Sequence, residues 1–228
     1  MRGKSNVFKE EQYTDKQLKR KVNGIYNRYV KRGIDLCLAV PFFVILLPVY
    51  LIISAVIIAE DGFPVLYRAY RGGYKNTKFR ICKFRSMVKN ADKIGGATTA
   101  LHDPRITGAG VFLRKTKLDE TPQLINIIKG EMSFIGPRPE VLEYVSQFKG
   151  KEKYILQVRP GITDYSSIEF INLDEIVGSR NADEVFEKEV LWKKNALRVK
   201  YVADISFLTD VKIFFRTIRM VLKKAVAR

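Results

Sequence analysis

The balance of hydrophobic and polar positions changes sharply along the chain. Residues 1–28 are polar and Lys-rich, and are expected to be poorly ordered or interfacial. Residues 34–59, IDLCLAVPFFVILLPVYLIISAVIIA, are apolar almost throughout, with Asp35 as their only charge. From residue 61 onward apolar positions recur at strand or helix spacing. This pattern predicts a polar tail (1–28), a membrane element (29–60) and one further domain (61–228).

Residues 34–59 have membrane length. Polar chain precedes them and no small-residue cleavage site follows, so the segment is expected to persist in the mature protein. Hydropathy alone reads as a single spanning helix. Two features argue instead for a re-entrant helix–break–helix that dips into one leaflet and returns. Pro48, helped by Pro41, removes a backbone donor near the middle of the segment. Cut there, the halves reach only about 21 Å and 18 Å, short of a hydrocarbon core of roughly 30 Å. Basic residues also crowd both flanks, with Lys31 and Arg32 before and Arg68 and Arg71 after, and both flanks therefore favour the cytoplasmic side. Asp35, paired with Lys31 or Arg32, is then expected at head-group depth.

Further on, VLYRAY and KFRICKFRSMV read as extended segments around the turn RGGYKN. A helix is predicted through DETPQLINIIKG, with Leu124, Ile127 and Ile128 as its buried stripe and Gly130 as its stop. EMSFIGPRPE reads as a short strand entering a proline-stiffened loop, and NADEVFEKEVLWKKNALRVKYV as helical. The tail DISFLTDVKIFFRTIRMVLKKAV is amphipathic, which suits either an interfacial helix or one packed on the core with a solvated basic face. The expected fold class is α/β, rich in α: a re-entrant membrane helix plus a small cytoplasmic catalytic domain with interfacial amphipathic helices.

Charge adds the nature of the partners. Lys and Arg total 41 against 24 acids, a net +17, so anionic partners are expected. Cys37 and Cys82 do not form a disulfide-scaffold pattern, and one histidine excludes a His-rich zinc set; a reducing, cytoplasm-facing setting fits. In this basic chain the acidic pair of KLDETPQL, Asp119 and Glu120, stands out. It can cap a helix start, where free N–H groups favour negative charge. Beside Arg114, Lys115 and Lys117, and with Arg138 on GPRP, it also suits a phosphate ester held with a divalent cation. An ionised Asp can attack phosphorus with no base to activate it.

The series DPRITGAGVFLRKTKLDETPQLINIIKGEMSFIGPRPE, with KFRSM at 83–87 and RPGIT at 159–163, closely resembles the bacterial sugar transferases, the monotopic phosphoglycosyl transferases. The resemblance implies transfer of a sugar 1-phosphate from a UDP-sugar to a polyprenyl phosphate (undecaprenyl phosphate), releasing UMP at the cytoplasmic face of a bacterial inner membrane. It implies Asp119 as nucleophile and Glu120 as the Mg2+ ligand. Arg114 and Arg138 become phosphate-binding residues, with Arg85 and Arg159 as weaker candidates able to serve equally as ion-pair formers. Asp103 and Arg105 are either substrate contacts or a loop-locking pair, and His102 an exposed loop residue. The implied partners are the UDP-sugar, the lipid phosphate and phospholipid of the cytoplasmic leaflet, without nucleic acid; a homo-oligomer is left open. The chain departs from the family pattern at Lys117, where Thr116 becomes the nearest N-cap, at Thr121, at Leu47 before Pro48, and in GITDYSSIEF. A membrane-anchored scaffold or nucleic-acid binder would share the positive charge and the apolar segment, but has no need of this motif series.

Overall fold

The computed structural model describes residues 12–96 and 98–226; residues 1–11 of the expected polar tail lie outside it. The helices are α1 (Asp15–Val22), α2 (Lys31–Asp61), α3 (Ala91–Ile94), α4 (Gly108–Thr116), α5 (Gln123–Lys129), α6 (Leu142–Ser146), α7 (Tyr165–Glu169), α8 (Leu173–Val177), α9 (Ala182–Val185), α10 (Leu191–Asp204) and α11 (Phe207–Val226). Strands β1 (Leu66–Gly72) and β2 (Lys78–Phe84) pair antiparallel, while β3 (Ser133–Ile135) and β4 (Gly161–Thr163) pair parallel. The α-rich α/β class expected from the sequence is therefore present.

Part of the polar stretch is folded. A reciprocal cap starts α1: Gln17 N donates to Thr14 Oγ1 at 3.3 Å, and Thr14 N donates to Gln17 Oε1 at 2.9 Å. Leu18, the apolar residue on its inner face, is wholly buried against Val199 and Val202 of α10. Val22 packs on the same cluster and Lys21 Nζ donates to Ile205 O at 3.2 Å, so this basic helix is held to the core by both ends of its inner face.

The main correction concerns α2. The break expected at Pro48 is absent, because residues 31–61 form one helix with Pro41 and Pro48 both inside it. Each proline deletes one N–H, but a long helix keeps the hydrogen bonds on either side and a packed face supports it through the gap. That face is continuous. Asp35, Ala39, Phe43, Leu46, Tyr50, Ile53 and Ile57 meet the domain at successive turns, and Glu60 reaches the start of α4. Ala39 packs with Phe79, Leu124 and Ile127, whereas Ile53 and Ile57 pack with Phe84 and Leu113. The opposite face exposes Val44, Ile45, Leu51 and Ile52. The segment Tyr26–Asp61 is long and apolar enough to cross a membrane, yet both of its ends dock on the same body.

Asp35 also departs from expectation. It is buried, not at a surface, and accepts from Ser133 Oγ at 3.0 Å and Phe134 N at 3.1 Å. Lys31 is ion-paired with Asp210 of α11, and Arg32 donates to the Ile127 and Ile128 carbonyls in the last turn of α5. Polar groups from the start of α2 thus satisfy buried backbone of β3 and α5. The C-terminal helix combines both sequence readings: Ile213 is buried in the core, while Phe215 and Leu222 remain exposed.

Candidate active site

The acidic pair is positioned by the end of one helix and the start of the next. Thr107 caps α4 by accepting from Gly110 N at 3.0 Å, and Glu60 of α2 adds a carboxylate at the same N-terminus, accepting from Gly108 N at 2.7 Å. The helix ends at Lys117, whose φ of 61° is left-handed, and this reversal sends the chain into a 3-10 turn, Leu118–Glu120. The pair therefore precedes α5 by a turn and does not lie in its first turn, as the sequence suggested. Thr116 does not take the expected capping role, since its hydroxyl donates back to Phe112 O at 2.8 Å. Tyr50 of α2 donates to Thr121 O at 2.9 Å and ties the turn to the apolar helix.

A second tie sets the opposite wall. The buried Asn126 of α5 accepts from Cys82 N at 2.9 Å and donates to Arg80 O at 2.8 Å, which fixes β2 beside the turn. Lys83 then reaches Glu120 Oε1 at 3.0 Å. Lys83, within the KFRSM stretch, was not among the expected site residues, and strand alternation beside Cys82 is the local signal that turns it to this face. Arg138 completes the site from the loop after β3. Its Nη1 donates to Glu120 Oε2 at 2.9 Å and to Ile162 O at 2.8 Å, and its Nη2 donates to Glu120 Oε1. The loop can lie there because β3 and β4 approach so closely that a Cβ on Gly161 would stand 2.1 Å from Gly136 N.

Other candidates fall at different places. Arg114 of α4 lines the same cavity and donates to Thr99 Oγ1 at 2.8 Å. Arg85 borders the cavity, but its guanidinium clamps the end of α2, donating to Asp61 O at 3.0 Å and Gly62 O at 2.6 Å. Arg159 is outside the cavity lining, stacked 4.9 Å from the Tyr74 ring centroid and donating to Gly130 O at 3.1 Å. Asp103 and Arg105 bind each other, with Nε to Oδ1 at 2.9 Å, and Arg105 also gathers the carbonyls of Ala91 and Gly96. That geometry is loop-locking.

The two carboxylates are buried but electrostatically unlike. Burial would raise Glu120, yet Arg138 and Lys83 outweigh it and hold Glu120 well below its ordinary value. Burial, then the charge of Glu120, pushes Asp119 up against the pull of Lys83, Lys117 and Arg114. Asp119 Oδ1 is buried without a hydrogen-bond partner, an orphaned acceptor among cations. A cavity of about 1550 Å³ opens beside the pair, beyond the roughly 300–1,000 Å³ of a single small-molecule pocket, and it extends to Phe42 and Leu46 of α2.

No cluster of three or more His, Cys, Asp or Glu ligands occurs among the described residues. Mg2+, which keeps waters and substrate phosphates and needs only one or two carboxylates, nevertheless fits the orphaned Asp119 oxygen and its neighbour. Glu120 would share oxygens already engaged by Lys83 and Arg138.

The fold and cavity define an α/β protein with a long apolar helix and a buried carboxylate–guanidinium cluster on the cavity wall. The chain belongs to the bacterial sugar transferase family, whose sequence profile matches residues 26–224. It is 34% identical over 209 residues to an Aeromonas hydrophila UDP-N-acetylgalactosamine-undecaprenyl-phosphate N-acetylgalactosaminephosphotransferase, covering 88% of this chain and 45% of that protein. It is 35% identical over 196 residues to the Escherichia coli K12 UDP-glucose:undecaprenyl-phosphate glucose-1-phosphate transferase, covering 84% of this chain and 40% of that one. The chain thus spans less than half the length of these two relatives. The exopolysaccharide production protein ExoY of Sinorhizobium fredii is nearer in size, 34% identical over 203 residues, with 82% of this chain and 83% of that protein covered.

Proposed function

We propose that the protein transfers a sugar 1-phosphate from a UDP-sugar to polyprenyl phosphate, through a covalent phosphosugar on Asp119. The observation that carries this reading is the buried Asp119 carboxylate, with Oδ1 unbonded, placed among Lys83, Arg114 and Lys117 beside a two-substrate cavity. An Asp oxygen attacks the phosphorus that bears the sugar, and the anhydride bond breaks with its electron pair leaving on UMP. The lipid phosphate, already anionic, then attacks the same phosphorus and releases the Asp119 carboxylate, so no general base is required. Arg114 and Lys83 are positioned to stabilise charge on the transferring group, and Arg138 holds Glu120 ionised beside it. Mg2+, when held by Glu120 and Asp119, supplies neutralisation of the diphosphate charge.

The reading seats the exposed apolar face of α2 in the cytoplasmic leaflet of a bacterial inner membrane, with both ends of the helix on one side. Docking of both helix ends on one body, with the outer face apolar, supports it. The catalytic pair then lies near the head-group plane, where the lipid phosphate resides.

The test is incubation with UDP-sugars and Mg2+. UMP release and a hydroxylamine-labile phosphosugar adduct are expected, and Asp119→Asn should abolish both. Turnover at the wild-type rate in that variant would end the covalent mechanism, while labelling of the two α2 flanks from opposite membrane sides would end the one-sided topology.

A further inference from the structure

The buried face of α10 carries Lys194, Asn195 and Arg198, and the last two bond to each other and to carboxylates. Arg198 donates to Glu140 Oε2 and to Asn195 Oδ1, both at 2.8 Å, while Asn195 Nδ2 donates to Glu152 Oε1 at 2.8 Å. Lys194 is different. It is only 8% exposed and lines the catalytic cavity, but it has no carboxylate or hydrogen-bond partner among the described residues; its ammonium sits over the Phe186 ring, 5.1 Å from the centroid.

The charges facing it explain why. On its own helix stands Arg198; from the loop after β3 come Glu140 and Arg138, and from the loop after β4 comes Asp164. Glu140 is taken by Arg198, and Asp164 accepts from Ser166 Oγ, Ser167 N and Arg138 N. Lys194 is the cation left over in this corner. An unpaired buried charge is unfavourable unless a counter-ion arrives.

We propose that Lys194 forms a second phosphate subsite in this cavity, reached from the side of α10, and contacts a phosphate oxygen of either the nucleotide or the lipid substrate. The identity of those substrates rests on the function proposed above; the anion site does not. Burial, then Arg198, pulls the Lys194 ammonium down to about 8, with Glu140 opposing. Free protein at pH 8.5 therefore holds much of Lys194 neutral, and anion binding must draw a proton onto it.

The experiment is titration calorimetry of the full chain in detergent at pH 8.5, in two buffers of different ionisation enthalpy. The probes are inorganic phosphate, UMP and farnesyl phosphate. Wild type should take up roughly half a proton or more per anion bound. Lys194→Met should lower affinity about tenfold, the effect of losing a charged hydrogen bond. Lys194→Arg, which keeps charge and fold, should retain affinity within about threefold but abolish the proton uptake.

The organic probe that weakens in Lys194→Met identifies the substrate whose phosphate is bound. Affinity unchanged for all three probes, or proton uptake that persists in Lys194→Arg and so belongs to Lys83, overturns the subsite. Phosphate binding that depends on Lys194 in a chain that transfers no sugar phosphate would keep the subsite and discard the proposed reaction.

Discussion

Replacing Arg138 by Met tests how the acidic pair is held. Arg138 gives Glu120 two donors, Nη1 to Oε2 at 2.9 Å and Nη2 to Oε1, and it also covers the Ile162 carbonyl at 2.8 Å. Glu120 is 9% exposed, so water cannot replace those donors freely. Removing one partner of a buried pair costs about 3–5 kcal/mol. Lys83 stays on Oε1 at 3.0 Å, which places the loss at the lower end, about 3 kcal/mol. For a chain of 228 residues that corresponds to a fall in Tm of roughly 6–12 °C. The assay is thermal unfolding in detergent for Arg138→Met, Glu120→Gln and the double variant. The double variant should lose less than the sum of the singles by about 1–3 kcal/mol. The acid side gives an independent check. Glu120 titrates below its unfolded value, so its contribution is present above the unfolded pKa and is lost as pH falls through the lowered folded one. Without Arg138 the folded value rises, so less stability is lost on acidification and the loss is complete at higher pH. A single variant melting within about 1 °C of wild type, or strictly additive losses, would refute the buried-pair reasoning.

Three further outcomes follow from the same geometry. The rate of UMP release should fall as pH falls, with a midpoint above that of an ordinary Asp, because a protonated Asp119 cannot attack; pre-steady-state quench measures it, and a midpoint at or below the ordinary value contradicts the burial argument. Lys83→Met should move that midpoint further up, since Lys83 favours the ionised Asp119; a downward move would show that Lys83 acts otherwise. Gly161→Ala should yield little folded protein, because its Cβ would stand 2.1 Å from Gly136 N, a contact that only separation of β3 and β4 can relieve; normal proteolytic resistance would show that the sheet can open without cost.

The parts of this molecule that were legible in its sequence are those set by local chemistry. Gly130 ends α5 with φ 85°, as a helix-stopping glycine should, and RGGYKN joins two antiparallel strands. The acidic pair and Arg138 meet as the spacing of LDE and GPRP suggested. What sequence missed depends on partners distant in the chain. Lys83 matters because Asn126 fixes β2 against α5, and Asp35 is buried because Ser133 and Phe134 need an acceptor. Pro48 misled for the same reason: its local cost is real, but packing along the whole of α2 outweighs it. Position 117 was read as a lost cap, whereas its left-handed backbone is what turns the chain toward the acidic pair.

The length of α2 that faces the domain has a mechanical consequence. Ala39, Ile53 and Ile57 complete the apolar clusters under the reactive turn, and the Tyr50 hydroxyl grips that turn directly. Trimming the chain at residue 62 would therefore strip a wall from the enzyme, and not merely its mooring. Tyr50 meets the chain at Thr121, two residues from Asp119, so a shift of this rod along its own axis would displace the turn that carries the acidic pair.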